Sequence, residues 1–217
     1  MIPVVYSGNC VAIVEEYNGR DNALQDHKYW SDEVVSPVRK QIKDHYIAQQ
    51  QRLCCYCHKE YPTAHNGVWD GEHVIPKALA PKFMFVPRNL AASCKDCNGA
   101  KLDSEVRVDP NRVSFPDQSA HYKIVHPHFD EYGQHVRWLG DVVVPRTSKG
   151  AALVVMCNLI RFGNGSIDAD TTPSTPEFER QIGTLVKRNA SPVEYEMALA
   201  SIAVHLKSTP QKSAEEQ

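Results

Sequence analysis

The sequence predicts an α+β protein, and three observations predict it. An amphipathic helical pattern leads into two closely spaced cysteine pairs. Between and just after those pairs the chain breaks into short strand-like pieces and one short helix. A second set of strands and capped helices then follows.

The elements can be taken in chain order. Met1–Val14 is fairly apolar, is interrupted by Ser7-Gly8-Asn9, and reads as one or two short strands. Ser36-Pro37 looks like an N-cap with proline at the first helical position. Val38, Ile42, Tyr46 and Leu53 then recur at near-helical spacing and deliver the chain to Cys54. Asn66-Gly67 marks a turn, Val68–Ile75 a strand, Pro76–Pro87 a proline-flanked loop, Asn89–Ser93 a second strand, and a short helix follows Cys97. Further on, Tyr122–Val125, Gln134–Leu139 and Val142–Val144 read as strands. Thr147 or Ser148 caps a buried helix running through Leu153, Val154, Met156, Leu159 and Ile160, and Gly163-Asn164-Gly165 stops it. Residues 166 to 176 form a polar loop. Ser174–Glu177 and Ser191–Glu194 are Ser-x-x-Glu boxes that open two helices, the second with Tyr195, Leu199, Ile202 and Leu206 on one face. The chain divides accordingly into 1–53, an N-terminal strand and helical region, 54–112, the cysteine-bearing core, and 113–217, a C-terminal α+β extension. A polar tail starts at Thr209, and the chain has no internal repeat.

The 217 residues are 42% hydrophobic and 23% charged, which is ordinary globular composition. No apolar run reaches the ~20 residues a membrane helix needs. Met1–Val14 carries no Lys or Arg and lacks the basic start of a signal peptide, so a cytoplasmic protein is expected. The net charge of −2 excludes a protein that grips nucleic acid mainly through a basic surface. Any such contact must be local, through a metal and a few Lys or Arg, or be helped by a partner.

Seven cysteines make an odd count for a disulfide framework. Cys54-Cys55-Tyr56-Cys57 and Cys94-Lys95-Asp96-Cys97 each hold a C-x2-C pair, and two such bends complete a tetrahedral S4 zinc site. Cys54, Cys57, Cys94 and Cys97 are the ligand-spaced set; pairing Cys55 with Cys57 is the alternative. A redox C-x-x-C would need a βαβ pattern, which is not seen. The metal's expected role is structural, since the segment is too small to hold a core alone. Cys10 and Cys157 look like buried small apolar residues.

Between and after the pairs stand Gly71-Glu72-His73-Val74-Ile75-Pro76, then Arg88-Asn89-Leu90, then Cys94-Lys95-Asp96-Cys97-Asn98-Gly99-Ala100-Lys101. Over about 50 residues the order and spacing resemble the HNH endonuclease family, in the form with four zinc cysteines around a ββα-metal core. The three signature positions read His73, Asn89 and Asn98. The resemblance implies a metal-dependent DNA endonuclease leaving 5′-phosphate and 3′-hydroxyl ends. His73 is then the general base, Glu72 and Asn98 ligate a catalytic Mg²⁺ or Mn²⁺, and Asn89 holds the loop that orients His73. Lys101 and Arg88, with Lys77 less firmly, are the phosphate contacts. Glu72 stands where the family more often has Asp. Adjacent residues of a regular strand face opposite ways, so Glu72 and His73 converge only if the strand twists or bulges, for which Gly71 is the candidate. Stand-alone bacterial proteins of this kind and size resemble effector subunits of anti-phage systems such as Septu, which implies an ATPase partner. A restriction-type or housekeeping nuclease fits equally well.

Each of these residues also has a plainer reading. A Glu-His pair is commonly surface decoration, Asn89 a turn residue, Asn98 a helix cap and Lys101 a solvated lysine. The rival class is a non-catalytic zinc module that binds nucleic acid or protein; it needs the cysteines but not Glu72, His73 and Asn98 together. His126-Pro127-His128 is weighed as a second metal site against turn packing, which is preferred. Trp30, Trp69 and Trp138 are weighed as base-stacking rings against core packing, again preferred.

Overall fold

The computed structural model describes residues 1–63, 66–163, 180, 184–185 and 191–208. They divide into two compact units. The first takes Met1–Val136 with Pro145–Leu159, and the second takes Arg137–Val144 with the described residues from Ile160 on. Mixed helices and small antiparallel sheets make the class α+β. No described helix is long and apolar enough to cross a membrane.

The first unit begins with a correction. Asn9–Asn18 is a helix, α1, where short strands are expected. Cys10, Val14 and Tyr17 are its buried residues, spaced by four and three, while the Val and Ile content suggested β structure. Gly8, at φ +55°, makes the turn that starts it. Helix α2 spans Ser36–Gln49 and buries Val38, Ile42 and Tyr46. Ser36 is already helical; the capping position is Val35, and Pro37 lies in the first turn.

Strands β1 (Trp69–His73) and β2 (Leu90–Cys94) form an antiparallel pair, and α3 (Lys95–Lys101) follows β2 directly. The register is one to one, from Trp69 opposite Cys94 to His73 opposite Leu90, so β1 carries no bulge. Both α2 and α3 pack on this hairpin, and all five residues of β2 are buried. The outer edge of β2 is covered. Ala92 N–H donates to Gln50 Oε1 at 2.8 Å, and the Ala92 carbonyl accepts from Gln50 Nε2 at 2.7 Å and from Cys55 N–H at 3.1 Å.

Tyr122–Val125 is not a strand. Only an isolated bridge joins Tyr122 to Arg107, after a single 3₁₀ turn at Ser119–His121. Tyr122, Ile124 and Val125 are buried side chains in an irregular segment, so an apolar run alone misled. A short helix, α4 (Tyr132–His135), takes the start of the next expected strand. A hairpin of β3 (Val136–Leu139) and β4 (Val142–Pro145), all but its end residues in the second unit, turns at Gly140, φ +58°, and the chain then returns to the first unit. Helix α5 (Ser148–Met156) is capped by Thr147, whose hydroxyl accepts from Gly150 N–H at 3.1 Å. It stops at Cys157, earlier than expected, and Leu159–Phe162 continues as 3₁₀ helix with Ile160 exposed.

Helix α6 (Pro192–Ser208) opens with a reciprocal capping box. Ser191 N–H donates to Glu194 Oε2 at 2.7 Å, and Glu194 N–H donates to Ser191 Oγ at 3.3 Å. Ala198, Leu199 and Ile202 are buried and Tyr195 is half-buried. The expected loop at 166 to 176, the Ser174–Glu177 box, the Leu206 side chain and the tail from Thr209 lie outside the described residues.

Gly150 has no room for a side chain: a Cβ there would lie 1.9 Å from the His135 carbonyl oxygen. Gly150→Ala is therefore expected to lower stability by about 2–3 kcal/mol, read as a fall in the midpoint of thermal unfolding.

Candidate metal centre and active site

Two C-x2-C turns meet at the N-terminus of α3. The sulfurs of Cys54, Cys57, Cys94 and Cys97 all lie within 4.8 Å of one another, and all four residues are buried. A tetrahedral zinc–sulfur site, with bonds of ~2.3 Å, needs sulfurs ~3.8 Å apart, so the four fit such an ion. Backbone N–H groups also point at the sulfurs: Cys94 N–H donates to Cys54 Sγ at 3.3 Å, and Cys97 N–H to Cys94 Sγ at 3.5 Å. Burial pushes the Cys54 thiol up, but hydrogen bonds from Cys55, Cys57, Cys94 and Cys97 outweigh it and hold the group well below its ordinary range. Against the Cys54 bond, which raises it, hydrogen bonds from Cys57 and Cys97 bring Cys94 down to about 7, while the neighbouring sulfurs hold the Cys57 and Cys97 thiols well up; a metal binding there would displace the protons that remain. Cys55 lies outside the cluster; its N–H bonds to β2, and burial pushes its thiol well up. The ligand set is thus the one with Cys54, not Cys55.

Next to this centre is a pocket of about 400 Å³. Strand β1 contributes Asp70, Glu72 and His73 to its lining, and α3 contributes Asn98 and Lys101. Trp30, Arg39 and Lys43, from before and within α2, and Lys77 close the other side. His73 reaches the pocket without a bulge. Asp70 and Glu72 face α3, while Gly71 faces α2 and Trp30, with a Cβ there meeting Lys43 and Trp30 atoms at 3.5 Å. The pocket lies where both sides of β1 can be reached.

His73 is 5% exposed. Its Nε2 lies 3.1 Å from the Met84 carbonyl, which can only accept, so Nε2 carries the hydrogen and Nδ1 the lone pair. The Trp30 ring stands edge-on to the imidazole at 4.4 Å. Burial pushes the His73 pKa down to about 3, helped by the Lys77 and Lys101 charges and opposed by the Met84 bond. The ring is therefore neutral at physiological pH.

Asn89 is fully buried and fixes the loop that supplies Met84. Its Oδ1 accepts from Ile75 N–H at 2.8 Å, and its Nδ2 donates to the carbonyls of Ile75 and Phe83, each at 3.1 Å. Asn98 sits mid-helix. The α3 cap is Cys94, which leaves the Asn98 amide to bond Asp70 Oδ2 at 2.9 Å. Glu72 and Lys101 are 2% and 1% exposed and form an ion pair at 2.7 Å. Tyr56 hydroxyl donates to the same Glu72 oxygen at 2.9 Å, and Lys101 also donates to the His73 carbonyl at 3.0 Å. Burial, then the Glu72 charge, raises the Tyr56 pKa far above the ordinary phenol range, which keeps that hydroxyl a donor.

His73, Glu72, Asn98 and Lys101 are thus brought to one pocket, with Asn89 behind it. Arg88 is not; it is exposed and lies over the Phe129 ring at 5.9 Å. Sequence reasoning missed Asp70, although its place two residues before Glu72 puts both on one strand face. It also missed Tyr56, hidden between two ligand cysteines, and Arg39 and Lys43, which no local pattern connects to the motif; Trp30, for which core packing was preferred over base stacking, lines the pocket. Trp69 is core, at 1% exposure, and Trp138 packs on Phe162. His126 stacks on Phe129 at 4.3 Å, and burial holds its pKa well below the ordinary value. His128 Nε2 bonds the Leu90 carbonyl at 2.8 Å. Among the described residues only the four cysteines gather as a metal-binding group of His, Cys, Asp or Glu.

No family model matches the chain, and no curated protein is similar to it.

Two outcomes are expected. Elemental analysis of the parent is expected to give one zinc, which Cys54→Ser or Cys97→Ser should lose, and with it most of the ~10 kcal/mol a structural zinc contributes; Cys55→Ser should keep the metal. For His73, the unfolded chain titrates near 6.5 and the folded one near 3. Between those values the unfolded state binds more protons, so stability is lost as pH falls through that window and is unaffected above it. From pH 7 to pH 5 the parent should lose about 2 kcal/mol more than His73→Gln, measured by denaturant unfolding at each pH.

Proposed function

We propose that the chain is a metal-dependent endonuclease of the HNH kind, hydrolysing phosphodiester bonds of DNA. The observation that carries this reading is the state of His73. It is a neutral, backbone-anchored imidazole whose Nδ1 is left with the lone pair, on a residue that lines a pocket together with Asp70, Glu72 and Asn98. An isolated zinc module has no use for that arrangement.

In the proposed reaction His73 Nδ1 removes a proton from water, and the water oxygen bonds to phosphorus. The bond from phosphorus to the 3′-oxygen breaks, leaving a 5′-phosphate, and the departing oxygen takes a proton from solvent as a 3′-hydroxyl. An imidazole with a pKa near 3 is a weak base; a divalent cation beside the attacking water would lower that water's own pKa and ease the transfer. A hard divalent cation, Mg²⁺ or Mn²⁺, on oxygens among Asp70, Glu72 and Asn98 would offset charge on the phosphate. Asn89 acts through the loop, keeping Met84 against His73. Lys77 and Lys43, the latter also donating to the Trp69 carbonyl at 3.4 Å, are the pocket-lining lysines proposed to meet a phosphate, and Lys101 is held by Glu72. With a net charge of −2, the protein depends on these few contacts or on a partner, for which an ATPase subunit of an anti-phage complex is the candidate.

The test is nicking of supercoiled plasmid with Mg²⁺ or Mn²⁺, with and without chelator. His73→Ala should lower the rate by about 10²–10⁴-fold with zinc content intact. Undiminished nicking by that variant would remove the catalytic assignment; no nicking by the parent would favour a zinc module that only binds.

A further inference from the structure

Three carboxylates line the pocket; Asp103 is exposed just past the end of α3, and the two on β1, Asp70 and Glu72, differ in their surroundings. Glu72 is buried and already matched by charge: one of its oxygens takes both the Lys101 ammonium at 2.7 Å and the Tyr56 hydroxyl at 2.9 Å. A cation on Glu72 would stand beside a buried ammonium 1% exposed, which nothing screens. Asp70 is half-buried, lies on the same face of β1, and accepts a hydrogen bond from the neutral amide of Asn98 at 2.9 Å. That amide also has an oxygen to offer.

We propose that Asp70, with Asn98, supplies the protein oxygens for the divalent cation, and that Glu72 is a positioning residue neutralised by Lys101 and Tyr56. This rests on the reading of the pocket as a nuclease site and names which of its groups does what.

The positioning role has a physical content. Lys101 bonds both the Glu72 carboxylate and the His73 carbonyl, so α3 is clamped to the end of β1 at the residue that carries the base. Tyr56 stands between Cys55 and Cys57, so its hydroxyl ties the cysteine turn to the same carboxylate. The sulfur centre and the pocket are therefore linked through one buried oxygen.

The experiment measures Mn²⁺ binding to the zinc-loaded protein by electron paramagnetic resonance, without substrate, on the parent, Asp70→Asn, Asn98→Ala and the double variant Glu72→Gln/Lys101→Met. The double variant removes both buried charges together, so neither is left unpaired. Zinc content and the unfolding midpoint are recorded for each. Asp70→Asn and Asn98→Ala should weaken Mn²⁺ at least about tenfold, one ligand's contribution of roughly 1.4 kcal/mol, while the double variant holds its affinity within about threefold. Loss of Mn²⁺ from a folded double variant, or its retention by Asp70→Asn, would overturn the assignment. If the double variant does not fold, the Asp70→Asn result decides alone. A parent that nicks DNA while Asp70→Asn binds Mn²⁺ normally defeats this inference and leaves the nuclease reading standing. A parent that neither binds Mn²⁺ nor nicks DNA defeats both.

Discussion

The four-sulfur cluster is the constraint on which the rest of the first unit depends. Strand β2 ends at one of its cysteines and α3 begins around two, so the cluster fixes both the strand's end and the helix's start. A five-residue strand pair and a seven-residue helix are too short to hold themselves in place. A metal on the four buried sulfurs would join them, and α2 packs over the hairpin, so that both elements carry their side chains at defined separations. The Gln50 side chain and the Cys55 amide finish the job by satisfying the outer edge of β2.

From this frame the pocket follows in two layers. Residues behind it consume hydrogen bonds to fix geometry. Asn89 holds the loop, the Met84 carbonyl sets the His73 tautomer, and Lys101 with Tyr56 pins Glu72. Residues at its surface, Asp70, Asn98, Lys43 and Lys77, remain where a small anion or cation can meet them. The buried Glu72–Lys101 pair adds little net stability on its own account, because desolvation offsets most of its attraction. Its use is to force one arrangement of α3 against β1.

The low overall charge makes sense against this layout. A site that works through an oriented imidazole and a few oxygens needs little long-range attraction for chemistry, though it needs it for capture. The proposed nuclease is therefore local in its contacts, and loading onto nucleic acid falls to a few cations or to a partner.

The cysteine spacing by itself determined the four-sulfur cluster, because two C-x2-C bends admit few other arrangements of four thiols. The order of His73, Asn89 and Asn98 around those bends located the pocket, and the capping pattern at Ser191–Glu194 located α6, because those signals are local. What only the tertiary structure decided was the partnership of the charged groups. Whether Glu72 meets a cation in solution or Lys101 in the interior depends on how α3 lies across β1, and no spacing along the chain reports that. Trp30 and Lys43 enter the pocket for the same reason: helix α2 packs on the hairpin from a distant part of the sequence. The helical start at Asn9 and the irregular path through Tyr122 were misjudged because an apolar run reports burial, and burial alone does not choose between helix, strand and coil.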